Sequence, residues 1–175
     1  MKTVTITLFL TIALSLSASA KVSVDRILKS SFSKATKIEK KRIILSSKQF
    51  AKVKSKAKTA VRTKVYRYYD IKRKSKSLGK AILITRKVRS KKATVLYAFD
   101  NKSRLKLTEI MAFSEPPEFI PSKRWMSQLQ NKNSSAKLKI GKDIPTISGA
   151  TLSAYTITDG ARVARAIFQL LQKRR

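Results

Sequence analysis

The sequence predicts a single α+β domain in which a twisted antiparallel sheet packs against helices. Between residues 63 and 113, runs of β-branched and aromatic residues alternate with short turns, which is typical of an antiparallel meander. On both sides of this region, apolar residues recur at helical spacing. The 175 residues contain no internal repeat and no sign of a second domain.

Residues 1–20 are interpreted as a secretory signal peptide and residues 21–175 as the mature domain. Lys2 precedes an apolar core at residues 4–16, and Ala18-Ser19-Ala20 fits a small-x-small cleavage site. The apolar core is short for a membrane span, and an uncleaved anchor is the alternative. We therefore expect export to a periplasm, where the cleaved protein is soluble.

The lead-in to the sheet is predicted to be helical and basic. Residues 22–32 have the apolar spacing of a short amphipathic helix. Residues 34–42 are predicted as a basic connector and residues 43–45 as a short strand. A second helix is expected to begin with Ser47 as its N-cap. Its apolar stripe comprises Phe50, Val53, Ala57, Ala60 and Val61.

The four main strands are predicted at residues 63–71, 81–88, 93–99 and 104–113. A basic loop at residues 72–80 is expected to join the first two, and Asp100-Asn101-Lys102-Ser103 has the composition of a turn.

The C-terminal third is predicted to contain a proline-rich loop, two helices and a short edge strand. Prolines interrupt residues 114–121, and Ser122 is a candidate N-cap for a helix carrying Trp125. Residues 138–140 are the predicted edge strand. The closing helix is expected to begin at or just after Thr151. Its predicted buried face comprises Ile157, Ala161, Val163, Ala164, Ile167, Phe168 and Leu171.

The composition excludes several classes of chemistry. The chain has no Cys and no His, so zinc fingers, Cys-ligated clusters and His-dependent triads are excluded. Its 41 Lys and Arg against 9 Asp and Glu give a net charge of +32. The few acids are scattered, and no metal site is predicted. If the protein performs redox chemistry, an organic cofactor must supply it.

The candidate functional site is Ser148-Gly149-Ala150-Thr151, within an uncharged run just before the closing helix. Gly149 permits backbone conformations that a side chain would disfavour. Ser148, Thr151 and Ser153 supply hydroxyls, and the N-terminus of the following helix favours an anion. A plain loop with a capping threonine is the simpler alternative.

This tetrapeptide resembles the flavin-attachment signature of the FMN-binding domain family, which includes the FMN-carrying subunits of the sodium-translocating NADH:quinone reductase and Rnf complexes. The order of elements over about residues 25–172 is similar as well. The resemblance implies FMN joined to Thr151 by a phosphoester and attached after export by an FAD:protein FMN transferase. The acid that usually lies three positions before the serine is Pro145 here, with Asp143 nearest, so non-covalent FMN is an alternative.

Further cofactor-binding residues follow from this resemblance. Ser148 and Ser153 are candidate donors to the phosphate, and Glu115 and Trp125 are candidate walls for the flavin ring. The alternatives are an N-cap for Ser153, a solvated loop acid for Glu115 and a core residue for Trp125.

The implied function is electron transfer by bound flavin, without conversion of a substrate, because no acid–base pair lies near the signature. A strongly positive protein should favour anionic reduced flavin and dock to an acidic redox partner. The alternative is a cofactor-free polyanion binder for nucleic acid or an anionic envelope or membrane surface. Tyr66, Tyr68 and Tyr69 favour nucleic acid, whereas the leader and the lack of a known motif oppose it.

Overall fold

The structure is a computed structural model that describes residues 23–173. The predicted signal peptide lies outside the described residues. The described chain contains helices, strands and one 3₁₀ turn at Pro117–Phe119. The helices are α1 (Val24–Ser31), α2 (Ser47–Ala57), α3 (Lys123–Ser127) and α4 (Thr151–Gln172). The strands are β1 (Lys37–Ile44), β2 (Val65–Arg73), β3 (Lys76–Lys87), β4 (Lys92–Asp100) and β5 (Leu105–Phe113).

The strands form one antiparallel sheet in the order β1-β2-β3-β4-β5, so each strand pairs with its neighbours in the chain. This meander and the α+β class confirm the prediction. Within residues 23–173, every helix is too short or too polar to cross a membrane.

Helices pack against both faces of the sheet, with α2, α3 and α4 on one face and the short helix α1 on the other. Because side chains alternate along a strand, Tyr97 and Leu96 of β4 point to opposite faces. Tyr97 packs in a core with α2, α3 and α4, where the rings of Phe99 and Phe168 stack at 4.9 Å between centroids. Leu96 packs in a second, smaller core beneath Leu28 of α1.

The predicted basic connector at residues 34–42 is wrong for most of its length, since β1 begins at Lys37. Lysines are tolerated in this edge strand because carboxylates lie beside them. Glu39 accepts an ion pair from Lys72 at 2.9 Å and another from Lys41 at 3.0 Å. These contacts, with Lys72 foremost, lower the pKa of Glu39 to about 2.

The predicted basic loop at residues 72–80 is also wrong. A tight turn with Lys74 in the left-handed region (φ +53°) joins β2 directly to β3. Lys80 is buried in β3 because its ammonium nitrogen lies 2.8 Å from the Asp70 carboxylate in β2. Elsewhere the corrections are small: Ser46 caps α2 in place of Ser47. Residues 138–140 form only an isolated bridge, Ile140 to Ile144, instead of an edge strand.

Candidate functional site

The turn before α4 has the backbone geometry that its sequence predicts. Gly149 adopts φ +75°, in the left-handed region that disfavours side chains. Ala150 is the N-cap, and the helix begins at Thr151, as expected. The turn therefore delivers Thr151 to the first position of a 22-residue helix.

The N-terminus of α4 has no side-chain cap among the described residues. The first amide of the helix ladder to reach a carbonyl is that of Ala154, which donates to Ala150 at 3.1 Å. The N–H groups of residues 151–153 thus precede the ladder and form the positive end of the helix dipole. This end of the helix can accept an anion.

The Thr151 hydroxyl is exposed and weakly held. It donates a hydrogen bond to the Ile147 carbonyl at 3.1 Å, and the amide of Ala150 donates to the same oxygen at 3.2 Å. Losing the hydroxyl proton would therefore leave the Ile147 carbonyl satisfied. Ser153, in contrast, is buried and has 1% of its surface exposed.

A cleft of about 190 Å³ opens between this turn and the loops beside it. It brings Glu115 together with the signature residues Gly149, Ala150 and Thr151, and with Ser153. Ser148 is exposed next to the cleft without lining it, and Trp125 does not line it either. The cleft is smaller than the roughly 300–1,000 Å³ of pockets that enclose most of a ligand.

Glu115 is fixed by the β3–β4 hairpin. Its carboxylate accepts backbone hydrogen bonds from Arg89 at 2.9 Å, Ser90 at 2.6 Å and Lys91 at 2.6 Å. The Lys91 amide contributes most to lowering the pKa of Glu115, so the side chain is anionic at neutral pH. It anchors the hairpin turn against the proline-rich loop and thereby forms one wall of the cleft.

Trp125 supports the signature from inside the core. Ser122 caps α3 as predicted, and the indole is buried with its N–H donating to the Pro145 carbonyl at 2.9 Å. This bond holds the segment that leads into the Ser148 turn. The position corresponds to the core alternative rather than to a wall of the cleft.

Four lining residues were not predicted: Val88, Arg89, Phe119 and Leu152. Val88 and Arg89 arrive through the β3–β4 hairpin, and Phe119 arrives through the 3₁₀ turn after Pro116. No local pattern marks them, since only the folded chain places these segments beside Thr151. Leu152 could have been noticed in the sequence, because it is a large apolar residue in the first turn of α4 and lies outside the predicted buried face of that helix.

A wider recess adjoins the cleft and shares Arg89, Glu115 and Phe119 with it. This recess has a volume of about 510 Å³ and is more open to solvent than the cleft. Ser90, Lys91, Ser114 and Pro116 complete its lining. Together, the two spaces form a groove that is cationic on its hairpin side and apolar near Phe119.

Comparison with protein-family models and with curated proteins finds no match to this chain.

Proposed function

We propose that the protein is a periplasmic flavoprotein that carries FMN beside Thr151 and transfers electrons. The observation that carries this proposal is the position of the Thr151 hydroxyl. It is exposed at the uncapped N-terminus of α4 and opens onto the same cleft as Glu115.

The phosphate of FMN would be held at the start of α4. The N–H groups of residues 151–153 and the helix dipole favour a phosphate there. Arg89 lines the same cleft and provides a guanidinium for charge-assisted hydrogen bonds. A phosphoester oxygen cannot donate a hydrogen bond, so attachment would cost the contact from Thr151 to Ile147.

The flavin ring would lie along the groove against Val88, Phe119 and Leu152. Because the cleft encloses only about 190 Å³, part of the ring would stay exposed. An exposed ring edge suits exchange of electrons with a partner protein. Arg89 and Lys91 would favour the anionic reduced form over the neutral oxidised form.

The side chains around the cleft support a carrier in preference to an enzyme. Glu115 is the acid in the lining, and its carboxylate is occupied by three backbone amides and the Ser90 hydroxyl. A carboxylate with a lowered pKa and saturated acceptors is a poor general base. The groove thus provides positive charge and apolar surface without a poised proton acceptor.

The test is intact-mass analysis of the mature protein after coexpression with an FAD:protein FMN transferase. In that reaction the pyrophosphate bond of FAD breaks, the Thr151 oxygen bonds to the FMN phosphorus, and AMP leaves with the proton. We expect a yellow protein whose mass exceeds that of the unmodified chain by the mass of FMN minus the mass of one water molecule. Thr151→Val should abolish the added mass, and Thr151→Ser, which keeps the hydroxyl, should retain it.

Two other outcomes separate the alternatives. Yellow protein whose colour is lost on denaturation and whose mass is unmodified would indicate non-covalent FMN. Colourless protein of unmodified mass, even with added FMN, would overturn the proposal and leave the polyanion-binding alternative.

Docking to an acidic redox partner provides a second measurement. Loss of the leader removes Lys2 and leaves a net charge of +31. The rate of electron transfer to an acidic partner should therefore fall steeply as ionic strength rises. A rate indifferent to salt would contradict electrostatic docking.

A further inference from the structure

On the side of α4 away from its N-terminus, basic side chains converge on a concave surface. We name this surface the cationic hollow. It lies between the end of α2, residues 135–139 and the middle of α4, and its volume is about 390 Å³. The basic residues that line it are Lys56, Lys58, Lys137, Lys139, Arg162 and Arg165.

The hollow is built on a fixed frame. The Arg165 guanidinium donates to the carbonyls of Ala136 at 2.6 Å and Asn133 at 3.2 Å, which ties the loop to α4. Lys56 donates to the Gln169 side chain at 3.0 Å, which ties α2 to α4. These contacts are made with neutral acceptors, so they leave the positive charges uncompensated.

Few acids offset this charge. Arg162 pairs with Asp159, and its Nε atom is buried without a hydrogen-bond partner among the described residues. Asp143 is near enough to favour the charged form of Arg165, and it accepts from the Lys139 amide at 3.2 Å. In residues 23–173, no ion pair involves Lys58, Lys137 or Lys139.

An anion that joined this cluster would reduce the repulsion between its positive charges. Burial is the main cause that lowers the pKa of Arg165, and the charge of Arg162 adds to it. Guanidinium groups match phosphate oxygens geometrically, and lysines add mobile point charges. A volume of about 390 Å³ falls in the roughly 300–1,000 Å³ range of ligand pockets and therefore suits a compact ligand.

We propose that the cationic hollow binds a compact ligand bearing two or more phosphate charges, such as a diphosphate. Two sources share this chemistry, a free phosphate compound and a phosphorylated lipid headgroup, and the test below distinguishes them. The inference does not rest on the flavin function, because the hollow shares no lining residue with the cleft.

The test is calorimetric titration of the mature protein with inorganic pyrophosphate at fixed ionic strength. The test variant combines Lys58→Asn, Lys137→Gln and Lys139→Gln. Asn is used at position 58 because Lys58 has φ +49°, which Asn tolerates. The matched control combines Lys29→Gln, Lys34→Gln and Lys40→Gln, which removes the same charge from exposed lysines of α1, its following loop and β1.

We expect saturable binding that weakens about tenfold or more in the test variant and less than about twofold in the control. Thermal unfolding without ligand will check that both variants are folded. Equal losses in the two variants would show attraction to overall charge and would overturn the site. Absence of saturable binding to the unmodified protein would also overturn it.

Two further arms identify the source of the phosphate. Vesicles containing a phosphomonoester lipid should bind and be displaced by pyrophosphate if the ligand is a headgroup, whereas failure to bind would indicate a free phosphate. A single-stranded oligonucleotide that binds more tightly than pyrophosphate, and whose binding the test variant abolishes, would overturn the compact ligand in favour of nucleic acid.

Discussion

The Tyr97 hydroxyl in β4 occupies the space that a Cβ atom on Gly160 of α4 would need. Such a Cβ would lie 2.4 Å from the hydroxyl oxygen. The hydroxyl donates a hydrogen bond to the Ile157 carbonyl at 2.7 Å, and burial raises the pKa of Tyr97, so the proton stays in place. A glycine in mid-helix thus allows α4 to approach the sheet.

Gly160→Ala should destabilise the protein. Alanine in place of glycine inside a helix ordinarily gains about 1 kcal/mol. Here the overlap with Tyr97 must be relieved by moving a buried ring, and overpacking of this kind costs about 1–3 kcal/mol. We expect a lower free energy of unfolding in urea.

The control for this prediction is Tyr97→Phe, which removes the hydroxyl and should cost about 1 kcal/mol for the lost hydrogen bond. In that background Gly160→Ala should cost less than in the natural protein, because the closest contact is absent. A stability gain from Gly160→Ala alone would contradict the packing argument.

Glu115→Gln should make the unfolding free energy less dependent on pH. The folded-state pKa of Glu115 lies below its ordinary value of 4.5, so the carboxylate contributes stability above that pH. This contribution is lost as the pH falls through the lower folded-state pKa. We therefore expect Glu115→Gln to be less stable than the natural protein at pH 7, with a smaller difference in acid.

Glu118→Gln provides the matched control, since Glu118 is an exposed acid in the same loop. The Glu118→Gln substitution should leave the urea-denaturation curves nearly unchanged both at pH 7 and in acid. If the two substitutions have equal effects, the backbone hydrogen bonds from residues 89–91 do not stabilise the fold as argued.

Lys80→Met should cost about 2–3 kcal/mol of stability, because it leaves the buried Asp70 carboxylate without its closest cation. Burial raises the pKa of Asp70, but the hydrogen bond and charge of Lys80 outweigh it and the net shift is downward. Lys41 remains at 3.5 Å and limits the loss. Equilibrium denaturation at pH 7 measures the effect.

Asp70→Asn combined with Lys80→Met tests whether the cost comes from an isolated charge. The double variant should recover part of the stability lost by Lys80→Met. An additive loss would instead indicate that the lysine stem contributes mainly by packing.

Helix α4 could be predicted from the sequence because one local pattern determines it. The predicted buried residues, from Ile157 to Leu171, are all buried, and the helix begins at Thr151. Apolar periodicity over many turns is a strong signal, and Gly149 marks the start. The prediction that Ser122 caps α3 was confirmed for the same reason, because an N-cap depends only on residues that are close in the sequence.

Only the end of strand β1, at Ile43 and Ile44, was predicted, because the stability of its first part comes from across the sheet. Lys37–Arg42 looks like a solvated connector until Lys72 and the neighbouring lysines surround Glu39. The cleft shows the same limit. Glu115 was predicted near the signature, whereas Arg89 and Phe119 reach Thr151 only through tertiary structure.

Gly149→Ala and Gly141→Ala form a matched pair that separates stability from cofactor attachment. Both glycines have positive φ, +75° and +78°, and a Cβ on either would meet open space. The only penalty is backbone strain, so each substitution should cost about 1–2 kcal/mol in denaturation experiments. Gly149 is two residues before Thr151, whereas Gly141 lies outside the cleft lining.

Gly149→Ala should therefore reduce the flavin mass gained during coexpression with the transferase, and Gly141→Ala should leave it unchanged. Equal flavin loading in two variants of equal stability would show that the Gly149 turn does not position the threonine for attachment.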